Sequence, residues 1–398
     1  MKILREIPPT AGLKMVWKDW LPSRRNFTAD LAKILGLPPL LLECSGTAAL
    51  IVALQTLLTL RQNKNRANVI IPAFSCPLVV LAIKHCGLNP VLCDTAKNSF
   101  DFDFSMLESL INEQTLVVMP THVGGQVADV LRAVKLAHLH GAVVIEDAAQ
   151  ALGASVGQTG DIAFFSLAVG KGLTLYEGGL LTANSATMRQ ALTIIHNRMN
   201  TKNNVLELKR ILELLSYSLI YRPALLPYFY GWPRRYALKK GDLIGAVGDY
   251  FGDFIPIHTV SDWRTRRGAR ATQRLQDHLA LTREQAKMRI AKLQRSGFVV
   301  VEGKRDEQAV WPFIMVLMPD KISRDRALNN LWPSPFGVTR LFVHSLGQYD
   351  YLAGKLEPRA TPNADDFADR HLTITNSLWL GDDDFNTVVE VLRQSIEG

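Results

Sequence analysis

Val143-Val-Ile-Glu-Asp-Ala-Ala-Gln150 is an apolar run that ends in two carboxylates, and Asp161-Ile-Ala-Phe-Phe-Ser166 is a second apolar run close behind it. Short runs of this kind, without alternating polar residues, are typical of strands that are buried on both faces in parallel sheets. Three similar apolar runs precede them, at residues 69–71, 90–92 and 116–119. Helix-like stretches lie among these runs, for example at residues 47–60 and 128–139. This alternation predicts an α/β fold with a mostly parallel central sheet.

The alternation stops near residue 200, where a helical and aromatic segment begins. Leucines recur every three or four positions from Leu208 to Leu219, which predicts an amphipathic helix over residues 205–221. Prolines 223, 227 and 233 exclude one continuous helix beyond it. Residues 263–296 have a helical pattern, and residues 297–398 alternate strand and helix patterns. We therefore expect a large domain over residues 1–262, with an inserted segment at about 200–260, and a smaller C-terminal α/β domain over residues 263–398.

Composition narrows the class of protein. Of the 398 residues, 47% are hydrophobic and 21% charged, which is typical of a globular chain with a sizeable core. The net charge of +8 comes without a long basic run, so we expect no nucleic-acid partner. Four cysteines without a C-x-x-C pair, and an N-terminus without a signal-like apolar core, indicate the cytoplasm. His138 and His140 face apart on a helix, and we expect no metal site.

Three polar segments adjoin predicted strands, and each has a structural explanation beside a functional one. In Glu43-Cys-Ser-Gly-Thr-Ala-Ala-Leu50 the free N–H groups of a helix start suit an anion, although a plain helix cap has the same pattern. Asp147 follows a strand at the position where α/β sheets place ligands, and its carboxylate either faces a protonated ring nitrogen or pairs within the protein. Lys171 is either a desolvated nucleophile or a surface lysine in a glycine loop.

Together the three segments favour one cofactor, pyridoxal 5′-phosphate (PLP). Its phosphate needs an anion cradle, its ring nitrogen needs an acid, and its aldehyde needs a lysine amine. The chain presents these groups in that order, each beside a predicted strand.

The same residues resemble the DegT/StrS-type family of PLP-dependent sugar aminotransferases, which have the type I aminotransferase fold. The similarity covers roughly residues 40–190. It is most specific where Glu146-Asp-Ala-Ala-Gln150 is followed by Phe165-Ser166 and then by Lys171 before Glu177-Gly-Gly179. This resemblance implies a large domain with a mostly parallel sheet and a smaller C-terminal α/β domain.

The resemblance also implies roles for single residues. Lys171 would hold the cofactor as a Schiff base and carry a proton between substrate and cofactor. Asp147 would keep the ring nitrogen protonated, and Gln150 would lie near the phenolic oxygen of the ring. Ser166 and the backbone of Gly46 and Thr47 would bind the cofactor phosphate. Family members are homodimers with shared sites, so a homodimer is expected.

The sequence departs from the family pattern in three places. Cys76 stands at the cofactor position where members often carry an aromatic residue over the ring, so stacking is expected to come from elsewhere, such as Phe74 or His122. Gly172 follows the lysine where asparagine is usual. The Gly-x-Asn-x-Arg segment of the family is not recognisable after residue 196, and residues 205–260 stand in its place.

The leading functional hypothesis is an aminotransferase that moves an amino group from an amino acid, by family analogy glutamate, to a nucleotide-linked keto-sugar for surface polysaccharide. A PLP-dependent sugar dehydratase is an alternative that Lys171 disfavours, because histidine typically replaces lysine in that branch. A non-catalytic PLP-binding regulator or scaffold is a third, motivated by Cys76 and by residues 205–260. The aromatic stretch 205–233 predicts either peripheral contact with the inner face of a membrane or a cover for the active site or a dimer face.

Overall fold

The computed structural model describes residues 4–21, 23–304 and 309–397, and its centre is a seven-stranded sheet. The strand order is β1-β7-β6-β5-β4-β2-β3, and neighbours are parallel except where β7 takes part. The strands are Leu41–Glu43 (β1), Asn68–Pro72 (β2), Asn89–Cys93 (β3), Thr115–Val118 (β4), Val143–Asp147 (β5), Ile162–Ser166 (β6) and Gly179–Ala183 (β7). The predicted mostly parallel α/β sheet is confirmed.

The register of this sheet brings the polar ends of its strands together. Asp147 at the end of β5 lies opposite Phe164 of β6, and Thr121, just after β4, bridges to Asp147. Strands β4 to β7 are buried almost throughout, which explains their continuous apolar runs. The carboxyl ends of β4, β5 and β6 therefore share one edge of the sheet.

Helices cover both faces of the sheet. They are Phe27–Leu35 (α1), Gly46–Leu60 (α2), Pro77–His85 (α3), Phe104–Leu110 (α4), Val130–Leu139 (α5) and Ala186–Met199 (α6). Helices α2 and α3 belong to one apolar core, whereas α4 and α5 belong to another that includes Val118 and Val144. Every residue of α2 from Ala48 to Leu54 is buried, as expected of the apolar helix that follows the Ser-Gly-Thr turn.

The segment at 205–260 is mostly helical. It contains Asn204–Ile220 (α7), a π-helical turn at Pro227–Gly231, Trp232–Lys239 (α8) and Leu243–Val247 (α9), which confirms the predicted amphipathic helix and the break at the prolines. The leucine stripe of α7 is not the side that packs on the core. Leu214 and Tyr217 are buried, while the predicted apolar stripe points outward, with Leu208 58% and Leu212 55% exposed.

A second, antiparallel sheet lies in the C-terminal part of the chain. Its order is β10-β11-β9-β8, from Val299–Val300 (β8), Phe313–Leu317 (β9), Val338–Thr339 (β10) and His371–Thr375 (β11). The helices of this part are Asp262–Ala271 (α10), Leu275–Arg295 (α11), Lys321–Leu331 (α12), Pro362–Arg370 (α13) and Asp382–Glu397 (α14). A smaller C-terminal α/β unit is thus present, and the boundary at residue 263 stays a prediction. Among the described residues, none of the helices combines the length and apolarity that crossing a membrane requires.

Candidate active site

A buried cavity of about 310 Å³ lies at the carboxyl ends of β4, β5 and β6. Seven residues that the sequence nominated for cofactor binding or catalysis line it: Gly46, Thr47, Cys76, Asp147, Gln150, Ser166 and Lys171. The structure therefore brings together residues from five separate stretches of the chain. Their individual roles stay predictions, and the local geometry shows what each side chain is able to do.

The start of α2 forms one end of the cavity. Ser45 caps this helix by accepting a hydrogen bond from the Ala48 N–H at 3.0 Å, which leaves the N–H groups of Gly46 and Thr47 without partners inside the helix. Ser166 faces them from the end of β6, so close that a β-carbon on Gly46 would lie 3.1 Å from the Ser166 Cβ. The Ser166 Oγ accepts from the Ala168 N–H at 3.2 Å, and its own proton remains available. This end suits a phosphate group.

Asp147 supplies a buried carboxylate at the end of β5. Its Oδ1 accepts a hydrogen bond from the Ala149 N–H at 3.0 Å. Burial raises the pKa of this carboxyl, and the Ala149 N–H and the amine of Lys171 oppose the rise. A carboxylate in this position is stabilised by a cation that enters the cavity, and a protonated ring nitrogen is such a cation.

Lys171 is held in a turn between two glycines in the left-handed region, Gly170 at φ 81° and Gly172 at φ 79°. The Lys171 N–H donates to the Ala168 carbonyl at 3.2 Å, and the Gly172 carbonyl accepts from the Leu13 N–H at 2.6 Å. The extended N-terminal segment around Leu13 thus holds the turn in place through this hydrogen bond. Side chains other than glycine rarely adopt these backbone angles, so the two glycines are needed for this turn.

The amine of Lys171 is set up as a nucleophile. Its pKa is lowered mainly by burial, and the nearby carboxyl groups of Asp147 and Asp249 oppose this shift. A lysine is useful in covalent chemistry only when enough of it is uncharged, and desolvation has that effect. Burial also raises the pKa of the Cys76 thiol to about 12, so this cysteine is a neutral wall of the cavity.

His122 lines the cavity, and two hydrogen bonds hold its ring in place. Its Nε2 lies 3.1 Å from Glu146 Oε2, and its Nδ1 accepts a hydrogen bond from the Ala128 N–H at 3.1 Å. Phe74, the other residue considered for stacking, does not line the cavity, because it is fully buried against Phe342 and Phe367. His122 therefore remains as the candidate for stacking on the cofactor ring.

Two polar side chains in the lining can donate hydrogen bonds to a ligand. The Oε1 of Gln150 accepts from the Gly124 N–H at 2.7 Å, which turns its amide N–H groups toward the cavity. Within the described ranges, the Thr121 Oγ1 is buried and has no hydrogen-bond partner. A buried hydroxyl without a partner is costly, so its presence in the lining indicates a bound polar group. The donor set, the anion cradle and the buried acid fit PLP.

Sequence reasoning missed several lining residues. Glu177, Asp249 and Phe251 also line the cavity, and the last two come from the segment after α9. Glu177 pairs with Arg210 of α7, and its carbonyl accepts from Arg264. The only local signal was the pair of carboxylates in a run of apolar and aromatic residues, Asp249-Tyr-Phe-Gly-Asp253, which does not specify a site.

Comparison with known proteins gives the family. Residues 12–208 match the model of the DegT/DnrJ/EryC1/StrS aminotransferase family. The chain belongs to this family. Among its curated relatives in this family is the GDP-perosamine synthase of Caulobacter vibrioides, 34% identical over 136 residues, which are 33% of this chain and 37% of that protein. The matched regions span about a third to a half of the length of the curated relatives.

Solved structures extend the comparison to the whole fold of this family member. A putative sugar aminotransferase of Streptococcus pneumoniae in its PMP-form has a TM-score of 0.74 at 17% identity and covers 98% of this chain and 99% of that one. The GDP-4-keto-6-deoxy-D-mannose-3-dehydratase of E. coli has a TM-score of 0.72 at 14% identity and covers 98% and 100%. The type I aminotransferase fold is confirmed, and it is shared by both kinds of enzyme.

Proposed function

We propose that the protein is a PLP-dependent aminotransferase that moves an amino group from an amino acid, by family analogy glutamate, to a nucleotide-linked keto-sugar. The observation that carries this proposal is the placement of the Lys171 amine and the Asp147 carboxylate in one buried cavity, beside the start of α2. The names of the curated relatives support the sugar substrate. Surface polysaccharide or related sugar biosynthesis would be its context.

Each residue of the cavity has its own role in this proposal. When bound, PLP supplies an aldehyde conjugated to a ring that accepts electrons. Gly46, Thr47 and Ser166 would hold its phosphate, and Asp147 would keep its ring nitrogen charged. Lys171 would bind the aldehyde through Nζ and, once a substrate amine has displaced it, would accept and return a proton at the same atom. Proton transfer by a positioned base contributes roughly two to four orders of magnitude in rate.

The acceptor is proposed to carry a diphosphate. The net charge of +8 favours the approach of an anionic substrate such as a nucleotide-linked sugar. An amino acid and this sugar would use the same cavity in turn, because its volume of about 310 Å³ leaves room for one reacting group beside the cofactor.

Mixing the purified protein with glutamate alone tests the reaction. We expect the absorbance of the PLP form to be replaced by that of the pyridoxamine form, because the first half of a transamination needs no sugar. A stopped-flow spectrum records the change, and addition of a nucleotide-linked keto-sugar should reverse it. A spectrum that no amino donor changes would favour the dehydratase or the non-catalytic alternative instead.

We also propose a cytoplasmic homodimer in which a second copy covers the outward face of α7. Leu208 and Leu212 are exposed there, beside a groove of about 860 Å³ that Phe229 also lines. Lys209 and Glu213 lie in the same lining, and a face of mixed charge suits a protein better than an anionic lipid surface. The four cysteines are unpaired thiols, which fits a reducing compartment.

Changing Leu208 and Leu212 together to glutamate should convert the dimer to a monomer, because two charges would be buried in the interface. Light scattering after size-exclusion chromatography measures the mass. Leu139→Glu is the matched control, since Leu139 is 81% exposed on α5, outside this face. A native protein that is monomeric and floats with anionic vesicles would support the membrane alternative for residues 205–233.

A further inference from the structure

The chain after α9 turns into the active-site cavity. Gly248 ends this helix at φ 88°, in the left-handed region that commonly stops helices. The next residue, Asp249, and then Phe251 reach the cavity, together with Val247 at the end of α9. The segment that replaces the family's Gly-x-Asn-x-Arg pattern therefore contributes a carboxylate to the site of its own chain.

Two tyrosines of the C-terminal part hold Asp249 in place. The Tyr349 hydroxyl donates to Asp249 Oδ2 at 2.9 Å, and the Tyr351 hydroxyl donates to the Asp249 carbonyl at 2.6 Å. Tyr349 is itself buried, and its oxygen accepts from the Val343 N–H at 3.1 Å. A buried carboxylate fixed by these contacts has little freedom to turn away from the cavity.

Lys171 thus has a carboxylate neighbour besides Asp147. Both Asp147 and Asp249 raise the pKa of the lysine amine against the effect of burial. When the cofactor is bound, its ring nitrogen would pair with the Asp147 carboxylate. The tyrosine hydroxyls that contact Asp249 are neutral, so they do not cancel the negative charge of its carboxylate. Asp249 is then the acid that remains for the amine.

We propose that Asp249 is a positioning residue that acts through Lys171: its carboxylate favours the charged form of the free amine and so sets the strength of the lysine as a base. This rests on the proposed aminotransferase function. A free lysine that is only desolvated holds a proton poorly, and a neighbouring anion restores its ability to accept one. The same anion keeps the ammonium group oriented until the proton is returned.

The titration of Asp249 makes this arrangement sensitive to pH. Burial raises the pKa of Asp249 to about 6, and the Tyr349 hydroxyl, the Val343 N–H, Lys171 and Arg340 oppose the rise. Cys76 and Tyr351 face the same carboxylate as neutral groups whose own pKa values are raised by burial. As pH falls through this pKa of about 6, Asp249 gains a proton and the support for the lysine is progressively lost.

The variant Asp249→Asn tests the proposal in full-length protein from which the cofactor has been removed. Reductive methylation of Lys171 with formaldehyde, followed over pH 6–11 by mass spectrometry of the peptide, gives the midpoint at which the amine loses its proton. We expect the midpoint to fall, and to fall less than in Asp147→Asn, because Asp249 is the weaker of the two carboxylate neighbours of the amine. Thermal unfolding checks that the variant is folded.

Two further variants keep the outcome specific. Asp253→Asn removes an exposed carboxylate of the same segment, which pairs with Lys355, and should leave the midpoint unchanged. Tyr349→Phe removes the hydrogen bond but keeps the charge, so it should move the midpoint less than Asp249→Asn does. Equal midpoints in native protein and Asp249→Asn would overturn the proposal. So would an unchanged midpoint with a raised KM for the amino donor, which would assign Asp249 to substrate binding.

The labelling experiment needs neither substrate nor cofactor. A protein that shows the shift but does not respond to glutamate would remove the proposed function and leave the link between Asp249 and Lys171 intact. A protein that responds to glutamate but shows no shift would retain the function and remove the inference.

Discussion

Lys171→Ala is expected to abolish covalent binding of the cofactor and to lower turnover by roughly three orders of magnitude or more, since one side chain supplies both the nucleophile and the base. The purified variant should lose the visible absorbance of the lysine-bound cofactor after dialysis. Turnover with glutamate and a nucleotide-linked keto-sugar should fall to the background rate. Both effects follow from a desolvated amine in a glycine-flanked turn, since Lys171 is the one lysine among the described residues that line the cavity.

Lys171→Arg is the matched variant. It keeps a positive charge and a long stem, but a guanidinium does not lose its proton in proteins and is not a nucleophile. It should therefore fail in the same way as Lys171→Ala while still filling the cavity. An alanine variant that stays coloured after dialysis and remains active would contradict the assignment of Lys171.

Asp147→Asn is expected to weaken cofactor binding by roughly 10²–10⁴ in Kd, because a buried ion pair that loses one partner costs about 3–5 kcal/mol. The structure gives the reason: Asp147 is buried, and the Ala149 N–H is a single neutral donor that does not replace a cation. Equilibrium titration of the cofactor-free protein with PLP measures the loss. A variant that binds PLP as tightly as the native protein would separate Asp147 from the ring nitrogen.

The same substitution should have the opposite effect on the cofactor-free protein. Burial raises the folded-state pKa of Asp147 above its ordinary value of 3.8, so its favourable contribution is present below pH 3.8 and is lost as pH rises through the folded-state pKa. Asparagine does not titrate. At neutral pH we therefore expect Asp147→Asn to raise the free energy of unfolding without cofactor by about 1–3 kcal/mol, measured by urea denaturation.

Much of this site could be predicted from the sequence because its main parts are local. Each central strand is a continuous apolar run, and the residue that follows such a run lies at the ligand edge of a parallel sheet. Asp147 and Ser166 were found in this way and Lys171 from its glycine-flanked turn, and the structure places all three in one cavity. The start of α2 was found from its capping residue, Ser45.

The remaining parts depend on contacts between distant segments. Asp249 is held by Tyr349, 100 residues further along the chain, and no periodic pattern records such a contact. The outward direction of the leucines on α7 has a similar cause. Leu214 and Tyr217 are the side chains that pack inward, beside Tyr176 and Tyr221, and leucine spacing alone does not show which stripe of a two-sided helix meets the core.

The hydrogen bonds from Tyr349 and Tyr351 to Asp249 also have a consequence for folding during synthesis. During translation, β5 with Asp147 and the turn with Lys171 leave the ribosome well before Tyr349 and Tyr351 are synthesised. A nascent chain can pair β4, β5 and β6 early, because these strands are close in sequence. We expect Lys171 to stay hydrated until the C-terminal part, which supplies Leu341 and Phe342 to the cavity, has been synthesised. Full desolvation of that amine is therefore a late event, and premature reaction with free aldehydes in the cell is disfavoured until the polypeptide is nearly finished.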